Sequence, residues 1–114
     1  TAYEAIKISS GNSFVHETES QVILNGSYNI NFTMDLVVKD MSLFDKLSKK
    51  NGVPLEISPI ALNIFKDAQK KYGPRSWSSM VVKRLEDASN INLRAEGFPA
   101  ELIDTEPETK GAEI

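Results

Sequence analysis

The stretch NFTMDLVVKDMSLF, residues 31–44, is apolar around most of a helical circumference, yet it carries a lysine and an aspartate near its centre. On a helical wheel, four side chains within about 60° of one another predict the seam that faces the core. These are Phe32, Leu36, Leu43 and Leu47. A helix that is apolar on nearly every side is packed on nearly every side, so its narrow polar strip should face solvent or a cleft.

The two charges at the centre of this helix have more than one interpretation. Lys39 lies at the edge of the polar strip. It can be a surface lysine whose aliphatic stem rests on apolar neighbours, or a cation aimed into a cleft. Asp40 falls within the apolar arc. We expect its carboxylate to pair with a cation or a backbone group, because an unpaired buried charge is too costly.

Turn residues divide the chain into about five helices and predict an all-α bundle. Gly26, the Asn51-Gly52 pair and the Gly73-Pro74 pair are typical helix terminators. Ser58-Pro59 is typical of a helix start. Helices are therefore expected over 2–8, 13–25, 31–50, 58–72 and 76–88, and residues 27–32 are the one weak strand candidate. The predicted core also includes Phe14, Val15, Val22, Ile23, Ala61, Phe65, Ala68, Tyr72, Trp77, Met80, Val81 and Leu85.

Length and composition predict one globular domain with no metal centre. The chain has 114 residues, of which 40% are apolar, and a chain of this size can bury a core without disulfides or metals. It has no cysteine and a single histidine, His16, so thiolate and multi-histidine metal sites are excluded. A structural or surface role is expected for His16, because the spacing identifies no partner acid or base.

Charge divides the chain into two parts. Residues 1–89 are nearly neutral and are predicted to be the helical domain, whereas residues 90–114 carry six acidic side chains against two basic ones and are predicted to be an acidic arm or tail. The net charge of −3 argues against nucleic acid as a partner. No apolar run is long enough for a membrane span, and no signal-peptide pattern is present. One local basic patch, a weaker hypothesis for phosphate binding, comprises Lys66, Lys70, Lys71, Arg75, Lys83 and Arg84.

Several of these features, in this order, make residues 1–88 similar to a known family. An aromatic residue and a leucine precede the Lys39-Asp40 pair, a Gly-Val-Pro step starts at Gly52, and an aromatic-Ser-Ser segment starts at Trp77. This collinear set resembles the C-terminal helical domain of the beta-hydroxyacid dehydrogenases, which include 3-hydroxyisobutyrate dehydrogenase and tartronate semialdehyde reductase. The implied fold resembles, in part, the C-terminal domain of 6-phosphogluconate dehydrogenase.

The resemblance implies a role for two residues of the opening stretch. In this family the lysine that matches Lys39 reaches the bound nicotinamide cofactor, and the aromatic residue that matches Phe32 lies on the cofactor side of the same cleft. Asp40 is expected to hold the geometry of that cleft. The implied full-length protein is an NAD(P)-dependent oxidoreductase that transfers a hydride to or from a small beta-hydroxy acid.

The resemblance also implies parts that these residues do not supply. The family binds its dinucleotide on a glycine-rich loop of a Rossmann domain, and the six glycines here form no such motif. The family's catalytic lysine precedes the matched region, so no catalytic residue is expected in this chain. We therefore expect the 114 residues alone to be inactive and to bind neither NAD nor NADP.

The remaining expectations are a cytoplasmic location and a homo-oligomer formed through the helical domain, both implied by the resemblance. A freestanding helical protein-interaction module, with an apolar groove for its partner, is the alternative that the sequence leaves open.

Overall fold

A computed structural model describes residues 1–103, 105, 107 and 111 of the chain. The described residues form five α-helices and one 3₁₀ helix, and they contain no strand longer than an isolated bridge. In chain order the helices are α1 (Ala2–Lys7), α2 (Phe14–Asn25), α3 (Met34–Lys50), α4 (Ser58–Tyr72), the 3₁₀ helix (Ser78–Val82) and α5 (Lys83–Ser89). The predicted all-α bundle of about five helices is confirmed. None of the described helices is both long enough and apolar enough to cross a membrane.

The helix ends are set by local chemistry, as the sequence predicts. The side-chain oxygen of Ser13 accepts a hydrogen bond from the His16 amide at 2.9 Å and caps α2. Gly26 ends the same helix at a φ of 92°, in the left-handed region that glycine adopts without strain. Pro59 lies in the first turn of α4, where its missing N–H is not needed.

The third helix begins at Met34, three residues later than predicted. Thr33, just before the helix, is extended and forms an antiparallel bridge with Trp77. The Met34 amide donates to the Ser76 carbonyl at 2.8 Å, and the Ser78 amide donates to the Phe32 carbonyl at 2.8 Å. These long-range bonds hold the backbone out of the helix, and they could not be read from local sequence.

The two sides of α3 are buried differently from the prediction. We call the side of α3 that carries the fully buried Met34, at 0% exposure, the inner side. The opposite, outer side carries most of the predicted core seam. Leu43 is 55% exposed and Leu47 57% exposed, so the expectation that this seam faces the core is wrong for the described chain. The helical periodicity identified a row of apolar side chains, but it did not show whether another element covers them.

The predicted fifth helix is split, and its inward face is different. A 3₁₀ turn precedes α5, which shifts the register of the side chains. Leu85, predicted to be buried, is 67% exposed, whereas the neighbouring Glu86 is only 3% exposed. In the N-terminal half of α2, Phe14 and Val15 were predicted to be buried but are exposed. In its C-terminal half, Val22 is fully buried, as predicted.

Residues 91–103 lie against the first two helices. The Ala95 amide donates to the Leu24 carbonyl at 3.0 Å, and the Asn25 side-chain amide donates to the Phe98 carbonyl at 2.9 Å. The Phe98 ring meets the Tyr3 ring edge-on at 5.1 Å. This part of the predicted arm therefore contacts the helical domain; residues 104, 106, 108–110 and 112–114 of that arm lie outside the described residues.

Candidate functional site

The site predicted from the sequence lies at the start of α3, and backbone and side-chain hydrogen bonds hold this end of the helix in place. In the first turn of α3, the Asp35 amide donates to the Pro74 carbonyl at 3.0 Å. The Thr33 hydroxyl donates to the Asp35 carboxylate, which also accepts from the Arg75 guanidinium at 3.4 Å. The Thr33 hydrogen bond, with help from Arg75, lowers the pKa of Asp35 below its ordinary value. The backbone that carries Phe32 is therefore fixed by tertiary contacts.

Phe32 contributes its ring to an open groove. The groove lies between α2, α3, α4 and the 3₁₀ helix and has a volume of about 500 Å³. We call it the central groove, and its apolar wall is formed by Val15, Ile23, Phe32, Val37, Phe65 and Val81. Phe32 itself is 37% exposed, so one face of the ring is available for contact with another group.

Lys39 projects from the outer part of α3 into solvent. Its side chain is 59% exposed, and its ammonium nitrogen lies 3.0 Å from a carboxylate oxygen of Asp40. Asp40 is 55% exposed, so the predicted pairing partner is present but the carboxylate is not buried. Exposed ion pairs are worth about 0–1 kcal/mol, which means that a ligand can displace Asp40 from Lys39 at little cost.

The structure does not bring Lys39 and Phe32 into one cavity. Phe32 lines the central groove, whereas Lys39 is not among the residues that line it. Each is accessible by itself, with Phe32 37% exposed and the Lys39 side chain 59% exposed. Their assignment to one cofactor site therefore stays a prediction.

Most of the predicted basic patch is neutralised by carboxylates. Asp87 accepts from Lys83 at 2.6 Å and lies 3.0 Å from Lys71. Hydrogen bonds from Lys83, Tyr72 and Lys71 hold the pKa of Asp87 far below its ordinary value. The other pairs are Arg84 with Asp67 at 2.6 Å and Arg75 with Asp35 at 3.4 Å. A surface whose cations are already paired is a poor phosphate site, which weakens the basic-patch hypothesis.

A buried polar cluster was missed by the sequence prediction. The Glu86 carboxylate accepts from the Tyr28 hydroxyl, from the Leu93 amide at 2.8 Å and from the Arg94 guanidinium at 2.8 Å. Burial alone raises the pKa of Glu86, but these hydrogen bonds outweigh it and leave the pKa below its ordinary value. The Tyr28 carbonyl in turn accepts from the buried Ser79 hydroxyl at 2.6 Å. The cluster ties residues 91–94 to the segment that leads into α3.

The side chain of His16 is held by contacts within the fold. Its Nε2 lies 3.0 Å from the Tyr3 carbonyl, its Nδ1 lies 3.1 Å from the Ser20 hydroxyl, and its ring lies beside the Tyr3 ring. Both ring nitrogens are therefore engaged within the fold. The described residues also contain no cluster of three or more acidic or histidine side chains that could hold a metal ion.

Comparison with known proteins decides the family. Residues 1–85 match the sequence model of a family described as NAD-binding of NADP-dependent 3-hydroxyisobutyrate dehydrogenase. The chain belongs to the beta-hydroxyacid dehydrogenase family. The family match ends close to Glu86, so residues 91–103 lie beyond it.

Two relatives are much longer than the region in which they match the chain. It is 31% identical over 94 residues to 2-(hydroxymethyl)glutarate dehydrogenase of Eubacterium barkeri, covering 82% of this chain and 31% of that protein. It is 29% identical over 80 residues to L-threonate dehydrogenase of Escherichia coli K12, covering 69% of this chain and 26% of that protein. The alignments thus span a quarter to a third of the length of the relatives. No solved structure gives a significant match to the chain.

Proposed function

We propose that these 114 residues are the helical portion of an NAD(P)-dependent oxidoreductase that acts on a small beta-hydroxy acid. The family membership supports a dehydrogenase domain. The observation that carries the proposal is the position of Lys39, an exposed cation on the open side of a helix whose start is fixed by hydrogen bonds to the segment before the 3₁₀ helix. Such a group can meet a ligand held by another part of the protein.

The residues present fit one side of a dinucleotide site. The Lys39 ammonium has three N–H donors, and only an exposed carboxylate competes for them, so it suits a carboxamide or phosphate oxygen of the cofactor. Phe32 offers part of an aromatic face at the edge of the central groove. A glycine-rich phosphate loop is not found among the six glycines. The pyrophosphate is therefore assigned to residues outside this chain.

When bound, the nicotinamide ring supplies the hydride acceptor or donor. The chain's own residues position and stabilise: Lys39 contributes a positive charge and hydrogen-bond donors, and Asp40 holds the lysine before the cofactor arrives. Proton transfer at the substrate oxygen is assigned to the family's upstream lysine. A homo-oligomer formed through the helical domain and a cytoplasmic location remain part of the proposal.

The test replaces Lys39 in the full-length polypeptide encoded in frame with this chain. We expect Lys39→Ala to raise the dissociation constant for the nicotinamide cofactor about tenfold, equivalent to about 1.4 kcal/mol, because a charge-assisted contact is lost. Isothermal titration calorimetry measures the affinity, and circular dichroism checks that the helices persist.

Lys46→Ala is the matched control, since Lys46 is an exposed lysine on the same helix, about 10 Å further along its axis. The affinity of the Lys46→Ala variant for the nicotinamide cofactor should stay within about twofold of the parent's. Equal affinities for the parent and Lys39→Ala would remove Lys39 from the cofactor site.

The alternative, a freestanding helical interaction module, is favoured by one observation, the open central groove. A module would need no dinucleotide-binding domain. If the full-length polypeptide proves to lack one and to bind no NAD(P), the module replaces the dehydrogenase as the preferred function.

A further inference from the structure

The five residues before Phe32, residues 27–31, adopt a strained backbone, and we call them the entry segment. Tyr28 has a φ of 55° and Asn31 a φ of 56°, both in the left-handed region that is costly for side chains other than glycine. Such conformations persist where surrounding contacts hold them, and they are concentrated at functional sites. Because Asn31 is bonded directly to Phe32, the conformation of the entry segment sets the direction of the Phe32 ring.

Tyr28 is the residue through which the fold holds the entry segment. Its amide donates to the Val22 carbonyl at 3.1 Å, and its carbonyl accepts from the Ser79 hydroxyl at 2.6 Å. These bonds hold the two peptide groups of Tyr28. The side chain is buried, with 6% of the residue exposed, so its hydroxyl needs partners of its own.

The partners of the Tyr28 hydroxyl come from α5 and from the chain beyond it. The hydroxyl donates to the Glu86 carboxylate and accepts from the Arg94 guanidinium at 2.8 Å. A second guanidinium nitrogen of Arg94 donates to Glu86 at 2.8 Å. The guanidinium carbon also lies over the Tyr28 ring, 5.3 Å from its centre, which is within the range of a cation–π contact. One cation therefore contacts both the hydroxyl and the ring of Tyr28.

The chain around Arg94 lies close to the start of the entry segment. A Cβ added at Gly26 would lie 2.5 Å from Nε of Arg94, so only a glycine leaves room for this side chain. The Ser27 hydroxyl donates to the Ala100 carbonyl at 2.6 Å. The guanidinium is thus seated against the residues that begin the entry segment.

The Arg94 network is better suited to fixing a geometry than to adding stability. The Glu86 side chain is only 1% exposed, and desolvation of a buried ion pair offsets much of its Coulombic attraction. A buried polar network whose members are all satisfied instead favours one arrangement of the chain. Here that arrangement includes the strained backbone at Tyr28.

We propose that Arg94 is a positioning residue of the cofactor site: through Tyr28 it holds the entry segment in the conformation that presents the Phe32 ring to the nicotinamide cofactor. Arg94 lies beyond residues 1–85, at which the family match ends. The inference rests on the proposed function, which places Phe32 at the cofactor. It adds a residue that acts on the site without touching the cofactor.

Hydrogen–deuterium exchange in the full-length polypeptide, without added cofactor, tests the positioning itself. Arg94→Ala should speed exchange at the amides of residues 28–34 about tenfold, because Tyr28 loses a partner and the strained backbone is free to relax. Exchange within α4 should change less than about twofold. Equal acceleration in both regions would mean that Arg94 supports only the stability of the whole fold. That result, or no acceleration at residues 28–34, would overturn the proposal.

Calorimetry on the same full-length variant tests the consequence for the site, with whichever of NAD and NADP the parent binds more tightly. Arg94→Ala should raise the dissociation constant about fivefold. Arg84→Ala is the matched control, because Arg84 also forms an ion pair, with Asp67 of α4 at 2.6 Å. Its dissociation constant should stay within about twofold of the parent's. An unchanged dissociation constant for Arg94→Ala would overturn the proposal.

Tyr28→Phe tests the route from Arg94 to the site, and it serves if Arg94→Ala fails to fold, because it removes one oxygen and keeps the ring. It should raise the dissociation constant by a similar factor. The double variant should bind no more than about twofold more weakly than the weaker single variant, because both changes remove the same contact. Effects that multiply would mean that Arg94 does not act through Tyr28, and would overturn the proposal.

Failure of the proposed function gives a different set of results. If the parent binds neither NAD nor NADP, or if Lys39→Ala and Phe32→Ala both leave the affinity unchanged, the cofactor site is refuted and the role of Arg94 with it. If Lys39→Ala weakens binding but Arg94→Ala does not, only the role of Arg94 is refuted.

Discussion

The inner and outer sides of α3 have similar apolar content and opposite environments. On the inner side, Met34 is fully buried and Val38 is half-buried against the rest of the bundle. On the outer side, Leu43 and Leu47 remain more than half exposed. Lys39 and Asp40 form their ion pair on the open part of the helix. One helix thus presents a buried side to its own bundle and an exposed apolar side to solvent.

A row of apolar side chains in a helix shows that these side chains favour burial, but it does not show which surface buries them. Under the proposed function, the cofactor that Lys39 meets lies against the outer side of α3. Its leucines would then surround the lysine that contacts the cofactor and exclude water from that contact. The comparison between the two sides can be tested with paired substitutions in the 114-residue chain.

The largest expected difference comes from truncating one apolar side chain on each side. Met34→Ala should lower the free energy of unfolding by about 2–5 kcal/mol, because it leaves a cavity at a fully buried position. Leu43→Ala should change it by less than about 0.5 kcal/mol, because the side chain is already exposed. Urea unfolding followed by circular dichroism measures both. Equal losses would contradict the burial assigned to the two sides.

A smaller difference is expected from the pH dependence of stability at the start of the helix. The pKa of Asp35 is lowered in the folded chain, so its stabilising contribution is present above the unfolded pKa, about 3.9, and is lost as the pH falls through the folded value. Asp35→Asn should therefore lower the urea midpoint at pH 7. The gap between parent and variant should narrow below about pH 4. A gap that stays constant from pH 7 to pH 3 would argue against this role.

The smallest effect is expected at Asp40, on the open part of the helix. Asp40→Asn removes an exposed ion pair with Lys39 and should change the free energy of unfolding by no more than about 0.5 kcal/mol at pH 7. The same urea titration measures it. A loss as large as that of Met34→Ala would mean that Asp40 is buried in solution, and the outer side would then be covered.

The sequence was most informative where the structure depends on local chemistry. Gly26 and Gly73 act through their own backbone preferences, so the C-terminal ends of α2 and α4 were predicted correctly, whereas α4 starts at Ser58, the residue predicted to be its cap. The start of α3 was missed because it depends on hydrogen bonds to residues more than 40 positions away. No local pattern could indicate those bonds.

Among the residues of interest for function, some could also be identified from local sequence and others could not. Lys39 was singled out because a cation interrupts an apolar pattern, and the structure places it in the open, where a ligand can reach it. Glu86 was passed over in favour of Leu85, because hydrophobicity was taken to decide which side chain points inward. The carboxylate takes the buried place because Tyr28, 58 positions away, and Arg94, beyond the end of α5, satisfy it.

From the sequence alone followed the helical class, the helix ends that depend on turn and capping residues and, through the ordered motifs, the family. Only the tertiary structure decided which apolar side of α3 is buried, where the central groove lies and which carboxylates are paired. The physical reason is that helix propensity and capping act within a few residues, whereas burial depends on every surface available to cover a side chain. Where no surface of the described residues covers it, an apolar side chain stays exposed.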